Sequence, residues 1–150
     1  MGARESDTEE LVKIFVELPE DEARGAESMW AKQVGRALYQ VRNVPFYAFD
    51  LHFNDIVKAA PDGPGRKPRI LRVVKASGHK TLRVIFPVGT PESKQVDMLS
   101  QLHPRGATYE RATARMVAID VAPVGDYQAV CDHLWAWEQE GFLWYETGTK

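Results

Sequence analysis

Ser77, Gly78 and His79 form a short polar link between two apolar runs, and no other residues in this sequence are better placed to do chemistry. A histidine on a tight turn can bind an anion or move a proton near neutral pH. Arg72, Lys75, Lys80 and Arg83 lie on either side of it, and like charge disfavours the imidazolium. The same residues also make a turn, with Gly78 supplying a positive φ and the side chains of Ser77 and His79 bonding back to the backbone. Asp55 beside Asn54, and Asp50 beside His52, are carboxylates that folding can bring to His79 as acid–base or metal partners. Neither His-x-x-His nor His-Glu-x-x-His spacing occurs. His103 and His133 fall on predicted helices as helix-end or surface residues. No metal and no other cofactor is expected. Cys131 lies between Tyr127 and Trp135 on an apolar helix face, where burial raises a thiol's pKa and leaves it inert. No Gly-x-Ser-x-Gly or phosphate-cradling glycine loop is present, because Gly63-Pro-Gly65 precedes a strand rather than a helix. No catalytic residue is assigned, and the balance leans away from an enzyme.

Charge and aromatic side chains offer two further signals. The formal net charge of −2 hides an acidic start, a middle from Gly63 to Pro91 without a single acid, and an acidic tail. The middle carries Arg66, Lys67, Arg69, Arg72, Lys75, Lys80 and Arg83. Such a band can track phosphates, face an acidic protein, or pair with the acidic ends of its own chain. A pI of about 6.1 and the lack of an RNA-binding aromatic string favour a protein-facing or internal role. Trp135, Trp137, Phe142, Trp144 and Tyr145 crowd the end of the chain. Trp135 belongs to the apolar helix face and Trp137 points elsewhere, about 200° of rotation away. Trp144 and Tyr145 alternate across a strand, so one of them faces away from that core. Trp137 and Trp144 are then either interface anchors or covered by the first half of the chain.

These residues must be positioned by the following elements. The 150 residues suffice for one well-buried core or two small subdomains. Residues 1–10 are polar and expected to fray. Leu11–Leu18 reads as a strand. Glu27–Arg42 reads as a hairpin about Gly35, with Trp30, Val34 and Leu38 on one face, although the same stretch also carries a helical stripe. After the aromatic run Phe46–Phe53 comes a strand over Asp55–Ala59. Arg69–Lys75 and Lys80–Phe86 read as strands joined in a hairpin by Ala76–His79. Thr90 reads as the N-cap of a helix with Pro91 at its first position and Val96, Leu99 and Leu102 on its apolar face. Two strands follow, Ala107–Ala112 and Arg115–Val121. Asp126 caps a helix with the face Tyr127, Val130, Cys131, Leu134 and Trp135, Gly141 ends it, and Phe142–Tyr145 closes the chain as a strand. The expected fold is α+β: a short-stranded antiparallel subdomain (11–79) packed on a ferredoxin-like βαββαβ half (80–146), with Lys80–Phe86 shared between them, the whole of 11–150 making one compact unit.

A resemblance is carried by an ordered set of words: Lys13-Ile-Phe-Val-Glu-Leu-Pro19, Ser28-Met-Trp-Ala31, Asn43-Val-Pro-Phe-Tyr-Ala48, Asp55-Ile-Val57, Val73-Val-Lys-Ala-Ser-Gly-His79 and Thr81-Leu-Arg-Val84. Over roughly Leu11 to Tyr145 the chain resembles the small bacterial family known as domain of unknown function 4265. It departs from that family in its longer acidic start and its Gly63–Pro68 loop. The resemblance implies a hairpin after Ser28 and no established activity. Some small domains of this type look like immunity proteins that neutralise secreted toxins.

The functional expectation is a small cytoplasmic protein that occludes or regulates a protein partner, as a toxin-neutralising immunity protein does. Its binding residues are expected among His79, Ser77, Arg72, Lys75, Lys80, Arg83, Asp55, Trp137 and Trp144. A start without an apolar run, no membrane-length segment and a lone cysteine set the compartment. Two alternatives stand beside it: an enzyme or phosphate-ligand binder centred on His79 and the basic band, and an RNA-binding module using the sheet.

Overall fold

The structure, a computed structural model, describes residues 9–150. The frayed start expected for residues 1–10 falls, for residues 1–8, outside those described. The fold is mixed α+β, mostly antiparallel sheet with two α-helices. The first five strands are β1 (Leu11–Glu17), β2 (Ala26–Gly35), β3 (Leu38–Val41), β4 (Ile56–Pro61) and β5 (Pro68–Lys75). They form a closed barrel by successive antiparallel pairing, and β1 meets β5 in parallel at Phe15 and Arg69. Its interior is filled by Ile14, Met29, Ala31, Val41, Val57 and Ala59.

The expected hairpin over Glu27–Arg42 is present as β2 and β3, but the opposite face of β2 is the inner one. Glu27, Met29 and Ala31 are buried, whereas Trp30 and Val34 are exposed. A barrel of so few strands is narrow and takes small and medium side chains. The Trp30 indole lies outside, with the Lys13 ammonium 4.6 Å from its ring centre.

The second half runs β6 (Lys80–Ile85), α1 (Glu92–Ser100), a 3-10 turn at His103–Arg105, β7 (Ala107–Arg111), β8 (Met116–Val121), α2 (Tyr127–Gln139) and β9 (Trp144–Thr147). Its sheet has the order β7-β8-β6-β9, antiparallel throughout. Leu82, Val84, Val117, Ile119 and Val121 point from this sheet into a second core with Met98, Leu99, Val130 and Leu134 of the helices. Two expectations about β6 are corrected. It does not form a hairpin with β5, because Ala76–His79 carries the chain from the barrel to the other sheet. Nor is it shared between sheets, since it pairs with β8 and β9.

The helices are placed as expected, with three local differences. Thr90 does not cap α1: its hydroxyl donates to the Pro87 carbonyl at 2.9 Å, and Pro91 is the cap. Val96 is exposed, and Gln95, Met98 and Leu99 are the buried residues of α1. Asp126 caps α2 as expected, its Oδ1 accepting from the Ala129 N–H at 3.0 Å. On α2 the tryptophans exchange roles. Trp135 is exposed, and Trp137 packs against the core and stands edge-on to His133 at 5.6 Å. The packed face continues from the buried Val130 and Leu134 to the partly buried Trp137, an i, i+4, i+7 series that passes Trp135 by.

Side chains alternate along a strand, so β6 turns Thr81 and Arg83 away from the helices and toward the barrel. The segment Pro45–Ala48 lies between the two halves and is held from both sides. Glu27 of β2 accepts backbone N–H groups of Phe46, Tyr47 and Ala48 at 2.6, 3.0 and 2.9 Å. Arg83 Nη1 donates to the Pro45 and Ala48 carbonyls at 3.3 and 2.8 Å. Glu27→Ala leaves three N–H groups without an acceptor, each costing about 1–3 kcal/mol when buried, and an overall loss of about 3 kcal/mol is expected. In urea the wild type should unfold in a single transition by far-UV circular dichroism and by tryptophan fluorescence, and the variant in a single earlier one. Two separated transitions would show that this segment does not couple the halves.

Candidate functional site

The Ala76–His79 link is a hub of side-chain to backbone bonds. Gly78 has φ of 90°, as expected of a turn glycine. Ser77 Oγ donates to the Phe53 carbonyl at 2.7 Å and accepts the His79 N–H at 3.1 Å. With its proton directed at a carbonyl, this hydroxyl is not activated as a nucleophile. Asp55 is buried and sits under the link, taking the Ser77 N–H on Oδ1 at 2.8 Å and the His52 N–H on Oδ2 at 2.9 Å. Asp55 thus joins the aromatic loop to the link, and His79 has a different carboxylate. Its Nδ1 lies 2.9 Å from both carboxylate oxygens of Asp120 on β8, and the Phe53 ring meets its edge at 5.3 Å. Asp120 was not among the candidates. A lone acid in the otherwise apolar run Met116–Val121 was its signal.

A cleft of about 270 Å³ opens beside His79, lined also by Gln40, Asn54, Lys75 and Ser77. The Asp120–His79 pair fixes the orientation of an imidazole at its edge, an arrangement able to hold a polar or anionic group. Asp50 is elsewhere, with its Oδ1 accepting the Lys150 N–H, and Asn54 is bonded to Arg42. Among the described residues no three His, Cys, Asp or Glu side chains come together as a metal would require.

Burial sets the titration of this seam. It pushes Asp120 above the ordinary carboxylate value, against the hydrogen bond and charge of His79. It raises Glu110 likewise, although Val44 N–H and Asn43 bond to that carboxylate. It lowers His52, whose Nδ1 meets Thr81 Oγ1 at 2.8 Å, and Lys80 and Arg83 depress it further while Asp55 and Asp50 oppose them. Burial also raises the Cys131 thiol, in keeping with an inert cysteine.

The basic band does not form one surface. Arg69 pairs with Asp62 at 3.0 Å, and Lys67 donates to Ser28 at 2.6 Å, at one end of the barrel. Arg72 and Lys75 are exposed on β5, and Lys80 lies over the Tyr127 ring. Arg83, with 2% of its side chain exposed, is buried in the seam. Trp144 is 57% exposed, and Trp137 belongs to the helical core. Register places Ile85 between Trp144 of β9 and Met116 of β8, all three on the face that bears Arg83. They wall a second cleft of about 350 Å³ whose other side is Phe46, Tyr47 and Phe49. From the sequence, the Phe46–Phe53 run is a dense aromatic segment whose Asp50 and His52 are candidate partners of His79, but its phenylalanines and tyrosine are given no role in binding.

The architecture defines an α+β protein in which a five-stranded barrel is joined by a polar seam to a helix-backed antiparallel sheet. A family model for the domain of unknown function DUF4265 matches residues 27–145, and the chain belongs to that family. The crystal structure of a hypothetical protein from Neisseria gonorrhoeae has the same fold, with a TM-score of 0.79, 16% sequence identity, and coverage of 93% of this chain and 95% of that one. No curated protein matches the sequence. Among the described residues no helix is long and apolar enough to cross a membrane.

The lowered pKa of His52 has a definite sign in stability. Below its ordinary value of 6.5 the unfolded chain takes up a proton that the folded chain refuses, so stability falls as pH drops from about that value toward the folded one. The raised Asp120 and Glu110 act oppositely, adding stability as pH falls through their folded values. Between pH 7.5 and 5.5 the urea midpoint of the wild type should therefore decline relative to that of His52→Gln. Parallel profiles would remove His52 as the titrating group.

Proposed function

We propose that the protein is a binding module that occludes or regulates a protein partner through the face carrying Trp144, as an immunity protein blocks a toxin in the cytoplasm. One observation carries this reading. Along β6 the barrel-facing side chains Thr81 and Arg83 are buried, and the next, Ile85, is 42% exposed. The sheet overhangs the barrel at that point, leaving Ile85, Trp144 and Met116 as a side-by-side apolar strip beside the aromatic cleft. An exposed tryptophan beside such a strip of apolar side chains is a typical interface anchor. Glu22, Arg24 and Glu146 add charge around it. We also infer a ferredoxin-like second half, supported by the chain order strand-helix-strand-strand-helix-strand and the sheet order β7-β8-β6-β9, and one compact unit over residues 11–150, supported by the shared grip on Pro45–Ala48.

The test uses the partner that copurifies from the native host. Trp144→Ala should weaken that complex about 30-fold, the equivalent of about 2 kcal/mol for an aromatic anchor. Arg72→Ala or Lys75→Ala should change it less than about fivefold and act mainly on association rate. Tight RNA binding that collapses log-linearly with salt and survives Trp144→Ala would overturn the reading.

The oriented His79–Asp120 pair favours a second reading, a phosphate-ligand or acid–base site in the smaller cleft. The two readings separate at His79→Ala. On the first, stability drops by about 1–3 kcal/mol, because Asp120 loses its buried partner, while partner binding persists. On the second, function is abolished even in conditions where the variant is folded.

A further inference from the structure

Arg83 is bonded unevenly. Its Nη1 serves the Pro45 and Ala48 carbonyls, and its Nε donates to Glu146 Oε2 at 2.9 Å. Its Nη2 is buried and has no hydrogen-bond partner among the described residues. Nε and Nη2 together form the edge of a guanidinium that holds a carboxylate through two parallel bonds. Glu146 takes one of the two, from a side chain that is 54% exposed. The Arg83 guanidinium lies over the Phe49 ring, its Cζ 4.7 Å from the ring centroid. Arg83 lines the 350 Å³ cleft at the foot of the apolar strip, a volume at the lower end of small-ligand sites.

The geometry points to a binding site for an apolar carboxylate, in which the ligand's carboxylate displaces Glu146 from Arg83 and its apolar body lies on Ile85, Met116 and Trp144. The inference rests on the docking face proposed above for its location and adds the chemistry of what enters. Exchange of one carboxylate for another keeps the buried cation neutralised. The ligand gains the second hydrogen bond that Glu146 leaves unmade, and Glu146, already half in solvent, returns to water. An amide or an amine of the same shape lacks the charge to replace it. The chemistry is shared by a peptide ending in an apolar residue and by a free apolar acid.

N-acetyl-phenylalanine and its amide are the probes, titrated into the full chain with the indole N–H resonances followed by NMR. The acid should move the Trp144 resonance saturably, with at least tenfold weaker binding of the amide. Glu146→Gln, an exposed change that removes the internal competitor, should tighten the acid severalfold; Arg83→Lys, where it folds, should weaken it at least tenfold. An acetylated tripeptide ending in phenylalanine that binds tenfold more tightly than 3-phenylpropionate identifies a chain terminus as the source, and equal binding identifies a free acid. The site is overturned by absence of a saturable shift, by equal binding of acid and amide, or by a Glu146→Gln variant that binds no more tightly. A partner complex that needs Trp144, in a protein that ignores the acid, would leave the docking face standing and remove this site alone.

Discussion

The guanidinium of Arg83 is the point on which the two halves depend. It comes from the second sheet, yet its hydrogen bonds to the carbonyls of Pro45 and Ala48 are made in the first half of the chain. Glu27 takes the N–H groups of the same few residues from the barrel side. The peptide groups of this segment thus point their positive ends at a carboxylate and their negative ends at a cation. Such a bridge is directional where apolar contact is not, and it fixes how the sheet sits on the barrel. Charges this deeply placed are weak sources of net stability, but removing one partner is costly because the other is left uncompensated.

Two apolar clusters and a polar seam follow from that arrangement. The barrel interior and the helix-backed core share no buried residue. Between them stand Arg83, Asp120 and Thr81 from the sheet, with Glu27 and Asp55 from the first half. A seam of this kind leaves little freedom of register, since every buried donor and acceptor needs its own partner. Burial in the seam also shifts His52, Asp120 and Glu110, and the two clefts open at its edges.

The sequence made the local elements plain and left their partners obscure. The cap at Asp126, the left-handed Gly141 and the alternation in Met116–Val121 are local chemistry, and each element is found where its residues place it. The face of β2 is different. Period-two alternation separates Trp30 and Val34 from Met29 and Ala31 but does not say which set a closed barrel will enclose. Helical periodicity likewise chose Trp135 over Trp137, because the stripe at i+7 and i+8 is decided by what packs against it. The pairings of His79 with Asp120 and of Glu27 with Phe46–Ala48 span 41 and about 20 residues, and no spacing rule reaches that far. Ser77, Asp55 and His79 do gather in one place, but Asp55 holds backbone and Asp120 holds the histidine.

The tail that follows β9 ties the end of the chain to its first half. Gly148 donates its N–H to the Thr81 carbonyl at 2.8 Å and accepts the Asp50 N–H at 2.7 Å, and Lys150 N–H reaches Asp50 Oδ1 at 3.0 Å. A Cβ at residue 148 would come within 2.7 Å of Thr81, so the chain passes here without room for a side chain. The bond from Lys150 to Asp50 closes a loop of 100 residues, and the entropy of such closure is lost before the bond repays it. The barrel hairpins and the helices can form early from near neighbours. The seam, by contrast, is closed by residues about 100 positions apart, so ordering it costs more loop entropy than forming a barrel hairpin or a helix.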